Sequence, residues 1–245
     1  CFVLSYLCGF IVRIIFLTEA LKLSSITINP LDLPNSQSCL RFIKFMLNAH
    51  FSNILNIAND KNLGVLAVGY LATPYYAGLY RAARAIVKII RRMMDPLLEI
   101  IFPELVRLYS EKNFETYKRI IFDSTKLILL VSLGVGGVIF YFSNSIIILF
   151  FGEQYVEAVL ALQILIIGMI IHNTAYWVNP SILSSGNPKF LSIITIATTT
   201  TYCLCLPYFI GQINHEGAAI SLVIKNILTL ILGLIFYFKF LKNKV

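Results

Sequence analysis

Charge is scarce in this sequence: Asp, Glu, Lys and Arg supply 13% of its 245 residues, against about 25% in a soluble domain. With 58% hydrophobic side chains and a mean hydropathy of +0.80, that scarcity excludes an ordinary soluble domain, and an integral membrane protein is the expected class. Histidine numbers three. His50 and His172 have no neighbouring carboxylate and no second histidine at ligand spacing, so they read as satisfied or cavity-lining side chains rather than metal ligands. The five cysteines, at 1, 8, 39, 203 and 205, are odd in number and have no metal-site spacing. They read as buried small hydrophobes, and Cys203 and Cys205, two apart on a helix, point to different sides. Neither a nucleophile and base nor a catalytic carboxylate pair is visible, so no enzyme, metal or cofactor is expected. The chain opens on Cys1 in the apolar run "CFVLSYLCGF", without a basic leader or cleavage site, which raises the expectation of a fragment. Acidic residues number twelve against twenty basic ones, a net charge of +8. In a membrane protein the placement of such a surplus says more than its sum, and nucleic acid is not an expected partner.

A spanning helix needs about 20 mostly apolar residues. Seven segments qualify, at roughly 1 to 21, 40 to 72, 77 to 106, 119 to 142, 156 to 182, 189 to 210 and 217 to 238. The one long linker is "SSITINPLDLPNSQS", residues 24 to 38, where Pro30 and Pro34 discourage helix. Lys22, Arg41 and Lys44, then Arg107, Lys112, Lys118, Arg119 and Lys126, then Lys189, then Lys239, Lys242 and Lys244 fall in every second break. The intervening breaks "TPYYAG", "SNSIIILFFGEQYVE" and "GQINHEG" contain no Lys or Arg. The positive-inside rule therefore predicts a cytoplasmic linker, a cytoplasmic 107 to 126 loop, a cytoplasmic "SSGNPK" turn and a cytoplasmic C-terminus.

One stretch breaks the apolar pattern. "LYRAARAIVKIIRRMMDPLLEIIFPEL", residues 79 to 105, carries Arg81, Arg84, Lys88, Arg91, Arg92, Asp95 and Glu99. On a continuous helix, at 100° per residue, these seven fall within an arc of roughly 100°. An amphipathic helix lying on the membrane surface would show such a stripe, and snorkelling would excuse charges near the ends of a span. The segment is long enough to cross, however, and the alternation of loop charge requires it to. Charges near the middle of a span line a water-filled cavity or pair within the bundle. Five cations against two acids leave a surplus suited to an anion, and the arginine fork suits phosphate.

Other polar residues are candidates for coupling or for lining the same cavity: Arg13 in the first segment, Asp60 and Lys61 in the second, Lys225 in the last, and Asp95 and Glu99 within the stripe. Asp60 and Lys61 read equally well as a local break between two short apolar halves. Thr195, Thr198, Thr199, Thr200 and Thr201 are expected to bond back to helix carbonyls or to pack closely. "GVGG" at 134 to 137 is a close-packing signal, since no strand precedes it and no Lys-Ser/Thr follows. Asp95-Pro96 and Asn179-Pro180 are expected to interrupt helices.

"GVLAVGYLATPYYAGLYRAARAIVKIIRRMMDPLLEIIFPELVRLYSEKN" resembles a stretch of polysaccharide and O-antigen flippases, where a helix ends at a glycine-tyrosine turn and the next runs to a proline before a charged cytoplasmic loop. "LFFGEQYVEAVLALQILIIG", "ILSSGNPKF" and "GQINHEGAAISLVI" are similar, in order, to later segments of that family. The resemblance is to the polysaccharide transporter branch of the multidrug/oligosaccharidyl-lipid/polysaccharide exporter superfamily. It implies an all-α, two-lobe transporter of the bacterial inner membrane. Residues 1–22 would be the last helix of the N-terminal lobe, 23–39 a cytoplasmic linker and 40–245 the C-terminal six-helix lobe. It also implies as cargo an oligosaccharide on a polyprenyl pyrophosphate, with Arg81, Arg84, Lys88, Arg91 and Arg92 lining the cavity. The implied partners are this lipid-linked oligosaccharide, membrane lipid, the absent N-terminal lobe and polysaccharide assembly proteins. Three alternatives stand beside it. A small-molecule exporter of the same superfamily would prefer an acidic cavity, a membrane-embedded glycan polymerase or ligase would need a larger outer loop, and the third is a non-transporting assembly subunit.

Overall fold

A computed structural model of the chain describes residues 63–92, 95–186 and 188–241. Among these residues the regular structure is helical, with no strand. The α-helices are α1 (Gly64–Leu71), α2 (Pro74–Arg92), α3 (Asp95–Ser110), α4 (Phe114–Tyr141), α5 (Ser143–Phe151), α6 (Ala158–Thr174), α7 (Val178–Ser184) and α8 (Pro188–Phe236). A short 3-10 turn at Glu153–Tyr155 and a π-turn at Tyr237–Leu241 complete the order. Local chemistry explains the helix ends. Pro74 and Pro188 stand in the first turns of α2 and α8, where a missing N–H costs no intrahelical bond. The Asn113 side chain accepts from Thr116 N at 3.2 Å and starts α4. Gly152, at φ 91°, ends α5 in a backbone conformation that favours glycine.

Among the described residues, three helical stretches are long and apolar enough to cross a bilayer: Phe114–Tyr141, Ala158–Ser184 and Pro188–Lys239. The last has 52 residues, about 78 Å if straight, more than twice the roughly 30 Å hydrocarbon core. The backbone turns instead at Ile213 and Asn214, whose φ/ψ are not helical. A Cβ on Gly217 would collide with the Phe209 carbonyl oxygen. Eight residues apart on a straight helix would separate the two by about 12 Å, so the chain folds back on itself here and residue 217 has room only for glycine. The two arms of α8 match the two expected segments either side of "GQINHEG".

The core has two clusters. The first joins Val68 of α1, Leu79, Tyr80 and Ala83 of α2, Ala161, Leu162, Leu165 and Ile166 of α6, and Tyr202, Leu206, Ile210, Ala218 and Ala219 from both arms of α8. The second joins Leu105 and Leu108 of α3, Tyr117, Ile121 and Ile128 of α4, Trp177 and Ile182, and Leu191 and Phe236 of α8. Helix α6 is central to the first, and its Gly168 lets Val223 of α8 approach closely, a Cβ there coming within 3.0 Å of Val223 Cγ2. Buried amides join helices where apolar packing alone gives no register: Asn226 Nδ2 donates to the Gly168 carbonyl at 2.9 Å and Asn173 Nδ2 to Ser132 Oγ at 2.9 Å.

Several expectations change. Of the expected 77 to 106 segment, α2 and α3 join different clusters. Residues 93 and 94, beside the interruption expected at Asp95-Pro96, lie outside the described residues. The break "SNSIIILFFGEQYVE" contains α5 rather than a loop. The interruption expected at Asn179-Pro180 falls earlier, at residues 175–177, and α7 runs through both residues. Cys203 is exposed rather than buried, and Cys205 is half-buried. Of the "GVGG" glycines, Gly136 packs against Ile166 and Ile170 within 3.3 Å, while Gly134 and Gly137 open outward. Thr198 and Thr201 do bond back, to Ile194 O and Ala197 O at 2.9 Å each.

Candidate functional site

Helix α2 carries all five cations of the stripe on one uninterrupted helix. Thr73 Oγ1 receives the Tyr76 N–H at 3.4 Å and, with Pro74, starts the helix. From there Arg81, Arg84, Lys88, Arg91 and Arg92 span an arc of about 100°. Leu79, Tyr80, Ala82, Ala83 and Ile90 fill the other side and are the buried residues of the helix. Arg81, Lys88 and Arg92 are exposed, and Arg84 and Arg91 are half-buried at the edges of the stripe. Of the two acids, Glu99 is exposed on α3 and Asp95 begins that helix. With 93 and 94 outside the described residues, the shared arc is described for the five cations on α2. Arg13, Asp60, Lys61 and His50 also lie outside the described residues.

Arg84 links the stripe to the core. Its guanidinium carbon lies 5.7 Å from the Tyr80 ring centroid, within cation–π reach. Tyr80 is wholly buried, and its hydroxyl donates to the Ala218 carbonyl at 3.5 Å. The Tyr202 hydroxyl comes close as well: a Cβ on Gly64 would lie 2.6 Å from Tyr202 Oη and 3.1 Å from Tyr80 Oη. Lys225 Nζ lies 5.7 Å from the Tyr202 ring centroid, and Lys225 is only 8% exposed. The fold therefore brings Arg84 and Lys225, 141 residues apart in sequence, each against one of two neighbouring phenols.

The charges at the end of α3 behave differently. Arg107 bonds Glu104 at 2.6 Å and Glu111 at 3.1 Å, and these two carboxylates, chiefly Glu104, hold its guanidinium protonated even more firmly than usual. Such exposed pairs are ordinary surface chemistry, unlike the surplus on α2.

The sequence matches the family described as "Polysaccharide biosynthesis protein" over residues 2–160, a span that includes the whole of α2. The chain belongs to the polysaccharide biosynthesis protein family. It is also 29% identical over 133 residues to a Shigella flexneri protein named "Putative O-antigen transporter". That match covers 54% of this chain and 31% of the relative, so the chain aligns with about a third of the relative's length. The O-antigen and polysaccharide kinship inferred from the motifs is thus the kinship that the comparisons return.

In this member of the polysaccharide biosynthesis protein family, sequence reading found the cations but not their setting. Tyr80 and Tyr202 look like any tyrosines in apolar segments until packing joins them. His215 was passed over inside "GQINHEG", a break scanned only for Lys and Arg. It is buried, stacks on Tyr76 at 5.3 Å between ring centroids, and sits at the turn of α8.

Proposed function

We propose that the chain is the C-terminal part of a flippase that carries a polyprenyl-pyrophosphate-linked oligosaccharide across the bacterial inner membrane for surface polysaccharide assembly. The observation that carries this reading is the stripe of Arg81, Arg84, Lys88, Arg91 and Arg92 on α2 of a multi-pass membrane protein in a polysaccharide biosynthesis family. A pyrophosphate is the anion that this surplus suits, because arginine forks bond phosphate oxygens in pairs. The stripe lines a central cavity closed by an N-terminal lobe ending near residue 22, with a cytoplasmic linker at 23–39 and a six-helix lobe at 40–245, seven spanning helices in all. The prenyl tail stays in lipid while the cavity opens to each side in turn, and the C-terminus is cytoplasmic. Lys225, held against Tyr202, extends the positive field inward from Arg84, and Asp95 and Glu99 weaken it enough for release.

A small-molecule exporter of cationic cargo fits less well, because a cationic wall repels such cargo. The test is replacement of Arg84, Lys88 and Arg91 together by alanine in the full-length protein. Surface glycan should disappear while the protein remains in the membrane at its normal level. Normal glycan display would sink the assignment of the stripe to the cargo.

A further inference from the structure

The turn of α8, the first turn of α2 and the start of α6 line an open cavity of about 540 Å³, within the usual size range of ligand pockets. Its polar lining is Tyr76, Glu157, Gln163, Asn214, His215 and Glu216. No Lys or Arg lines it, in contrast to the stripe on the same helix α2. Tyr76 lies about 140° around that helix from Arg81, so the cavity and the stripe are separate features.

The chemistry of the lining is one-sided. His215 is 4% exposed, and its Nε2 lies 3.1 Å from the Glu157 backbone carbonyl. A carbonyl can only accept, so Nε2 carries a hydrogen. The ring's Nδ1 is buried and has no hydrogen-bond partner within the protein. Stacking on Tyr76, with 12° between the ring planes, fixes the imidazole in place. Gln163 spends an amide hydrogen on Ser143 Oγ at 3.0 Å. Together with the carboxylates of Glu157 and Glu216, the cavity presents mainly acceptors, held on helices rather than on a loop. A pyrophosphate, which brings acceptors and negative charge, is the wrong ligand here. A group rich in hydroxyl donors is the right one, because each O–H can meet a carboxylate or an amide oxygen.

We propose that this cavity is a saccharide subsite that takes a neutral sugar residue through its hydroxyl groups. The inference rests on the glycan-carrier reading for the source of the sugar and places it apart from the pyrophosphate. The experiment uses the full-length protein in lipid nanodiscs and four probes: galactose, N-acetylglucosamine, glucosamine and inorganic pyrophosphate. Saturation-transfer NMR titrations should give saturable binding of at least one neutral sugar, weakened at least fivefold by Glu216→Gln and by His215→Ala. Glu216 is only half-buried, and its substitution preserves shape, so it decides the matter if His215→Ala fails to fold. Pyrophosphate should not displace the sugar. Binding of glucosamine alone would make this a cation site and overturn the proposal, as would competition by pyrophosphate or sugar binding that ignores both substitutions. The absence of neutral-sugar binding to the folded protein would overturn it too. Arg84→Ala separates the two readings, since it should cost pyrophosphate binding and leave the sugar signal intact. If pyrophosphate never binds but sugar binding tracks Glu216, the stripe reading fails and the cavity stands.

Discussion

Helices α2 and α4 each bury one narrow face, and they differ in what the other face carries. On α4 the buried line is Tyr117, Ile121, Ile128, Ser132 and Gly136, while Leu127, Leu130, Val131, Leu133 and Val138 point outward. On α2 the buried line is Leu79, Tyr80, Ala82, Ala83 and Ile90, while the outward side carries Arg81, Lys88 and Arg92, with Ile89 at its margin. An apolar outer face is stable against hydrocarbon and wasteful against water, and a row of cations has the opposite preference. Two helices of one bundle thus face two media. How much of a helix is buried does not distinguish them. The identity of the exposed residues does, and it is the ground for proposing α2 as the functional face and α4 as part of the lipid-facing wall.

The comparison breaks most sharply if the outer faces are exchanged. Leu130→Arg on α4 puts a cation against hydrocarbon, at a cost of about 3 kcal/mol near the middle of a span. The variant should be depleted from the membrane fraction several-fold, measured by fractionation and immunoblotting at matched expression. Normal accumulation would mean that this face of α4 meets water or protein. The two sides of α4 should also separate at a single type of residue. A Cβ at position 136 would come within 3.2 Å of Ile170, so Gly136→Ala should destabilise by about 1 kcal/mol through overpacking. At Gly134 nothing lies within 4 Å of the added atom, and Gly134→Ala should stabilise by roughly 0.5 to 1 kcal/mol from helix propensity. Thermal melts in one detergent give both signs, and equal shifts would blur the assignment of the two sides.

The parts of the fold that were legible are those fixed by local chemistry. The prolines, the glycines and the alternation of loop lysines mark the turns near 73, 112, 187 and 214 without reference to tertiary contacts. Helix α5 was hidden because nine residues, "SNSIIILFF", are too few to signal a span and too apolar to signal a loop. The cations of the site were visible because charge is rare in this sequence. Their phenol partners were not, since Tyr80 and Tyr202 meet only through the packing of α2 against α8 around Gly64. The outward turn of Cys203 was equally invisible, because in a span a residue facing lipid and one facing the core share the same composition.

The smallest effect on stability is expected on α2 itself. Lys88 is exposed at the centre of the stripe. Lys88→Leu removes one positive charge from a row of five without opening a cavity, so stability should change by no more than about 0.5 kcal/mol. If the face of α2 lies in water, its loss should appear in anion binding instead: about tenfold weaker pyrophosphate affinity, the equivalent of one charge-assisted hydrogen bond. The remaining affinity should also depend less steeply on salt, because fewer charges act on the ligand. Titration of inorganic pyrophosphate into both proteins at two ionic strengths reads both effects. If Lys88→Leu instead raised the melting temperature markedly and left pyrophosphate binding unchanged, the α2 face would be one that lipid prefers. The contrast with α4 would then be one of degree, and Lys88 would be a snorkelling side chain rather than part of a cavity wall.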